Sequence, residues 1–185
     1  MATHGALKRR LAGDLDRHFP ELVAEMQGAV YNGARRWLPD RQDAEDVTQE
    51  AFVRAYRALQ GYSTARIAEI RLRPWLFTIT LNLCRNHARS RSRRPQQAVL
   101  EEWSDIPDSA KVEEDAVAAT AVDEWRERLA HLPARQRDAV VLRHVVDLSY
   151  IEIGEVLGCP PGTARSDVSR GLSQLRTMLA TEETQ

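Results

Sequence analysis

The chain has 185 residues, of which 29% are charged and 6% aromatic, and its formal net charge is -1. That length supports one or two small domains, and two cysteines without a Cys-x-x-Cys spacing argue against a disulfide scaffold or a zinc site. No uncharged apolar run reaches the ~18 residues of a membrane span, and Lys8, Arg9 and Arg10 lead into no secretory apolar core, so a soluble, cytoplasmic protein without membrane insertion is expected.

Taken in chain order, nearly every periodic segment reads as helix, and no alternating β-branched run bounded by hairpin turns is present. A first helix is expected from about Leu22 to Trp37, closed by Pro39. A second runs from Asp43 to about Leu59. Its apolar stripe is Val47, Ala51, Ala55 and Ala58, and a different face carries Asp46, Glu50, Val53 and Arg57 with Gln49 beside them. Asp40 precedes this helix, acidic residues crowd its first turn and Gly61 follows it, as the helix dipole favours. Residues Tyr62 to Arg73 read as an irregular connector. The next helix, from Pro74 to about Arg91, has its proline in the first turn, where a missing N–H matters least. Leu76, Ile79 and Leu83 form its apolar side. Asn82, Asn86 and Arg89 form a polar stripe that runs into Arg85, Arg91, Arg93 and Arg94. Amides bond base edges and guanidinium groups neutralise phosphates, so this stripe suits nucleic acid. Trp75 either joins the core or stacks on an unpaired base.

Residues 95–112 read as a polar linker. Glu101, Glu102, Asp105, Asp108, Glu113, Glu114 and Asp115 follow the arginines, relieved only by Lys111, so the near-neutral net charge conceals a strong segregation. Beyond it, Ser149-Tyr150-Ile151-Glu152 has the form of a capping box, Ile153, Val156 and Leu157 continue an apolar face, and Gly158 stands where a left-handed cap is expected. A turn through Pro160 leads to a last helix near Pro161. There Ala164, Val168, Leu172 and Leu175 form the packing stripe, while Thr163, Arg165, Ser166, Asp167, Ser169 and Arg170 lie elsewhere. This is helix-turn-helix grammar, with a plain helical hairpin as the other reading of the same pattern. Gly171 within that helix costs about 1 kcal/mol relative to alanine, and close packing is the expected reason for it.

These words together resemble one family. Asp43-Ala44-Glu45-Asp46-x-x-Gln49-Glu50-x-Phe52 is similar to the helix with which extracytoplasmic-function sigma factors grip bacterial RNA polymerase. Trp75-Leu76-x-x-Ile79-x-x-Asn82 with a basic helix end resembles the part of that family that recognises the −10 promoter element. Leu132-Pro133 through Arg143, Leu148-Ser149-Tyr150-x-Glu152-Ile153 and Gly162-Thr163-Ala164-Arg165-Ser166 resemble its −35-reading domain. The likeness covers Phe19 to Leu179. It implies an all-α chain of two small helical domains, residues 1–94 and 120–185, joined by a flexible acidic linker at 95–119.

The same resemblance implies site residues and partners. Asp46, Gln49, Glu50 and Arg57 would bind core polymerase. Tyr62, Asn82, Arg85, Asn86, Arg89 and Arg93 would meet the −10 element, with Asn82 near the pocket for a flipped base. Thr163, Arg165, Ser166, Ser169 and Arg170 would meet the −35 element. Partners would be core RNA polymerase, promoter DNA and an anti-sigma factor, without obligate homo-oligomerisation. Two departures stand out. The 62–75 connector is longer than usual and lacks the common Phe-Arg-Gly start, which bears on −10 specificity. Asp167 replaces a usually basic residue; a carboxylate cannot hold a phosphate, so it either accepts from a cytosine amine or is turned away by an ion pair to Arg170.

No catalytic constellation is legible: the histidines at 4, 18, 87, 131 and 144 are scattered, and no phosphate loop or Gly-x-Ser-x-Gly occurs. The expectation is a non-enzyme without cofactor or metal. Two other classes compete with the sigma-factor reading. A stand-alone helix-turn-helix regulator would bind duplex as a dimer without polymerase, and a helical adaptor would not need Asn82 or the arginine stripe.

Overall fold

Capping residues set the helix boundaries in the computed structural model, which describes residues 2–93 and 121–182. Asp14 accepts from the Arg17 amide and starts α2, Leu15–Trp37, directly after α1, Ala2–Gly13. Helix α2 therefore begins a full two turns before the expected Leu22. Pro20 lies inside it, where its missing N–H forfeits one intrahelical hydrogen bond. Asp40 accepts from the Gln42 amide at 2.8 Å and starts α3, Arg41–Gln60. The connector expected to be irregular contains α4, Thr64–Glu69, capped by Ser63. Helix α5, Leu72–Arg93, carries the aromatic-to-arginine sequence.

In the C-terminal half, α6 occupies residues 121–130 and α7 spans Ala134–His144. The turn after α7 passes through Asp147 at φ 59, a left-handed position that a short polar side chain tolerates. Helix α8, Tyr150–Leu157, opens on the complete capping box of Ser149 and Glu152 and ends on Gly158 at φ 63. Helix α9, Pro161–Glu182, follows at once. No strand occurs among the described residues, and no described helix is long and apolar enough to cross a membrane. The expected acidic linker and the side chain of Arg93 lie outside the described residues.

Most of the expected stripe positions are buried, namely Val47, Ala51, Ala55, Leu76, Leu83, Ala164, Val168 and Leu175, whereas Ala58, Ile79 and Leu172 at the stripe margins are half-buried. Each fully buried leucine contributes about 1.5–3 kcal/mol. The main cluster continues from Leu22, Val30 and Phe77 into Val146, Leu148 and Ile153, so α8 packs on α5 and α7 on α2. A smaller cluster of Leu129, Leu132, Val140, Val141 and Leu175 joins α6, α7 and α9. Gly171 is explained by this packing. A Cβ there would lie 2.7 Å from Val140 Cγ2, so the helix accepts poor propensity to let α9 approach α7.

Candidate functional site

On α3 the buried alanines leave one face outward. Asp46, Gln49 and Arg57 are exposed, and Val53 is 41% exposed among them, an apolar spot inside a polar stripe. Gln42 donates to Asp46 at 3.1 Å, and Glu50, half-buried, holds Arg54 at 2.6 Å. These contacts leave carboxylate oxygens available to a partner cation. Asp43 turns the other way and ties α3 to α5 through Arg91 at 2.8 Å and His87 at 3.4 Å.

On α5, Asn82, Asn86 and Arg89 are exposed along one side, as their spacing requires. Trp75 is partly buried, and the Tyr62 ring stands 6.2 Å from it, so the connector delivers an aromatic to the same face. Arg66 lies 4.9 Å over the Tyr62 ring. Sequence reasoning passed over Arg66; its i+4 relation to Tyr62 was the available signal, hidden by reading the segment as irregular. Arg85 departs from the expected set. Its guanidinium donates to Asp138 Oδ2 at 2.8 Å, and Asp138, on α7, is only 1% exposed. Beside this pair, burial and then the Asp138 charge push the Cys84 thiol up to about 12, so it stays an inert apolar filler.

On α9, Thr163, Arg165, Ser166, Ser169 and Arg170 are all exposed, giving one contiguous polar face. Tyr150 stands between Arg143 and Arg165, whose guanidinium carbons lie 5.4 and 5.1 Å from its ring centre. Asp167 is not on that face. It is 6% exposed and accepts from Arg135 Nε at 2.7 Å, which corrects the expectation of a contact to a base or to Arg170. The carboxylate instead fastens the first turns of α9 to the start of α7. In the capping box, burial pushes the Glu152 carboxyl up, but hydrogen bonds from Ser149 and the charges of Arg71 and Arg73 outweigh it and hold the group below its ordinary value.

Further ion pairs and a side-chain hydrogen bond join the two halves. Arg35 meets Asp123 at 3.1 Å, Arg71 reaches Glu155, and Arg73 donates to the Val146 carbonyl. Among the described residues, no group of three or more His, Cys, Asp or Glu side chains is placed to hold a metal ion.

Residues 22–94 match the family model described as Sigma-70 region 2, and residues 123–175 match Sigma-70, region 4. The "ECF RNA polymerase sigma factor SigE" of Mycolicibacterium smegmatis is 37% identical over 161 residues, which cover 86% of this chain and 61% of that longer protein. The "ECF RNA polymerase sigma factor SigW" of Bacillus subtilis is 31% identical over 183 residues, covering 94% of each. The fold is similar to that of CnrH, solved in complex with the cytosolic domain of CnrY, with a TM-score of 0.72 at 25% identity over 96% of this chain and 97% of that one. It is also similar to the sigma factor RpoE of Bartonella quintana, solved with the anti-sigma factor NepR, with a TM-score of 0.66 at 24% identity over 88% of this chain and 96% of that one. Two sigma-70 regions in this order on an all-helical frame define the class, a sigma factor of RNA polymerase. Within it, the chain belongs to the extracytoplasmic-function (ECF) family.

Proposed function

We propose that this chain binds bacterial core RNA polymerase through the outward face of α3 and directs it to promoters by reading −10 and −35 elements. The observation that carries the reading is the coexistence, in one chain, of three exposed polar faces on helices whose opposite faces are buried. Asp46, Gln49, Glu50 and Arg57, with Val53 among them, supply the polymerase contact. Tyr62, Asn82, Asn86, Arg89 and Arg93 meet the −10 strand, joined by Arg85 once it leaves Asp138. Amide side chains take base edges there and guanidiniums take phosphates. Thr163, Arg165, Ser166, Ser169 and Arg170 enter the −35 major groove from α9. Residues 1–94 and 120–185 act as the two reading domains, and 95–119 as the acidic tether.

In this reading the protein works in the cytoplasm, catalyses nothing itself and leaves nucleotide chemistry to the polymerase. Because the solved relatives are bound by CnrY and by the anti-sigma factor NepR, we assign this chain a protein inhibitor of the same kind. Run-off transcription with core polymerase on genomic fragments tests the proposal. Discrete start sites should appear with the protein and vanish when Asp46→Lys and Glu50→Lys are combined. Duplex binding without any polymerase-dependent transcript would instead make the chain a stand-alone regulator.

A further inference from the structure

Helix α1 lies upstream of the segment that matches the sigma-70 region 2 model, which begins at residue 22. It nevertheless packs along α4, the element inserted in the connector between the two aromatic residues of the −10 face. Leu7 and Leu11 are 1% exposed and share a cluster with Ile67 and Leu72. Lys8 Nζ donates to the Ala68 carbonyl at 2.8 Å, satisfying a carbonyl that the end of a short helix leaves without an intrahelical donor. Thr64 Oγ1 reaches the Ala12 carbonyl at 3.5 Å. A six-residue helix does not hold its shape alone in water, because nucleation is costly and few bonds repay it. The order of α4 therefore comes from α1.

What α4 presents is specific. Arg66, exposed, covers one face of Tyr62, and Tyr62 leans on Trp75. Asn82 is exposed two turns further along α5 on the Trp75 side, since seven residues nearly complete two helical turns. A cation stacked on an aromatic ring beside an exposed amide is the arrangement on which an unpaired base stacks and is read at its edge.

We propose that α1 is a brace that presets the −10 reading surface, and that Arg66 is a further nucleic-acid contact on it, its guanidinium plane supporting an unpaired base. This rests on the −10 reading above. The brace makes α4 a positioning element: it fixes where the Tyr62–Arg66 layer stands before DNA arrives, so discrimination among −10 bases depends on residues that touch no DNA. Lys8 and Thr64 are the residues through which to test it. Neither is buried, and replacing them leaves Leu7 and Leu11 in place.

The experiment uses the full chain with core polymerase on a promoter found by run-off transcription. Promoter opening is followed by 2-aminopurine fluorescence on templates carrying each base at each −10 position, and amide hydrogen exchange is measured on the free protein. The double variant Lys8→Met, Thr64→Val should speed exchange across residues 63–70 and reduce −10 discrimination about five- to tenfold, the scale of one or two lost hydrogen bonds. Core affinity and −35 preference should stay unchanged. Arg66→Ala should reduce discrimination similarly without altering exchange, and Arg66→Lys should not restore it, because an ammonium offers no plane. Unchanged exchange in the double variant removes the brace. Faster exchange with intact discrimination removes its role in reading, and rescue by Arg66→Lys replaces the stacked base with a phosphate contact. Asn82→Ala is the control: if it leaves opening untouched, the −10 reading fails and this inference with it, whereas an effect of Asn82→Ala without one of Arg66→Ala overturns the inference alone.

Discussion

The carboxylate of Asp167 shows how a single side chain can mislead at the reading face. Its position in α9 is one turn from Thr163 and Arg170, yet it is buried against Arg135. Burying a carboxylate requires a hydrogen-bonded cation, and Arg135 supplies one while remaining half-exposed. Asp167→Arg should therefore destabilise the fold by about 1–3 kcal/mol, because it sets two cations together at a buried site. Combining it with Arg135→Asp should recover most of that loss, and a double-mutant cycle from urea denaturation measures the recovery. Asp167→Asn should lower stability without changing −35 base preference; a changed preference would return Asp167 to the reading face. Gly171 makes the second residue-scale prediction. Alanine gains about 1 kcal/mol of helix propensity but places a Cβ 2.7 Å from the stiff, branched Val140. Overpacking of that kind costs about 1–3 kcal/mol, so Gly171→Ala should lower the melting temperature, and Val140→Ala in the same chain should reverse the sign.

At the scale of the element, what could be read from the sequence tracks where the stabilising information lies. Helices α3 and α8 were legible because cap and apolar period agree locally: Asp40 with Val47, Ala51 and Ala55, then Ser149 and Glu152 with Ile153 and Val156; α9 was legible from the spacing of Ala164, Val168 and Leu175 after Pro161. Helices α1 and α4 were not. In α1 Leu7 and Leu11 are buried hydrophobics set among glycine and basic residues, and α4 is held by contacts from 50 to 60 residues away in sequence, such as Thr64 to Ala12 and Lys8 to Ala68. No local window contains that information. Arg66 was missed for the same reason: its i+4 relation to Tyr62 brings the two side chains together only where the segment is read as helix. For α8 the cap itself is testable. Ser149→Ala should cost about 1 kcal/mol. The folded Glu152 carboxyl titrates below its ordinary 4.5, so its contribution is present above that value and is lost as pH falls through the lower, folded one. Glu152→Gln should thus be less stable than the parent at neutral pH, and the gap should close as pH falls below 4.5. A gap independent of pH would mean that packing, not the carboxylate charge, makes the contribution.

Across the whole molecule, the two halves close on each other through a buried charge. Asp138 is 1% exposed, its Oδ2 is held by Arg85 at 2.8 Å, and its Oδ1 has no hydrogen bond and lies 3.7 Å from Arg137 Nε, so the pairing with Arg85 is the main compensation for burying it. Arg85 comes from the helix proposed to read the −10 element, and one guanidinium cannot serve Asp138 and a phosphate at once. Closure and −10 binding therefore compete for this side chain. Two variants that delete the same ion pair should part ways. Arg85→Met leaves a buried carboxylate without its principal partner, which weakens the closed arrangement by about 1–3 kcal/mol after discounting for the exposure of Arg85. Small-angle scattering should then show a larger radius of gyration. Asp138→Asn removes the buried charge itself and keeps the shape, so the chain should stay compact while Arg85 becomes available. Single-stranded −10 DNA should consequently bind more tightly to Asp138→Asn than to the parent, and more weakly to Arg85→Met despite its openness. Equal expansion of both variants would mean that the apolar contacts of Val146, Leu148 and Ile153 tolerate opening whenever the pair is cut, and the competition for Arg85 would lose its controlling role.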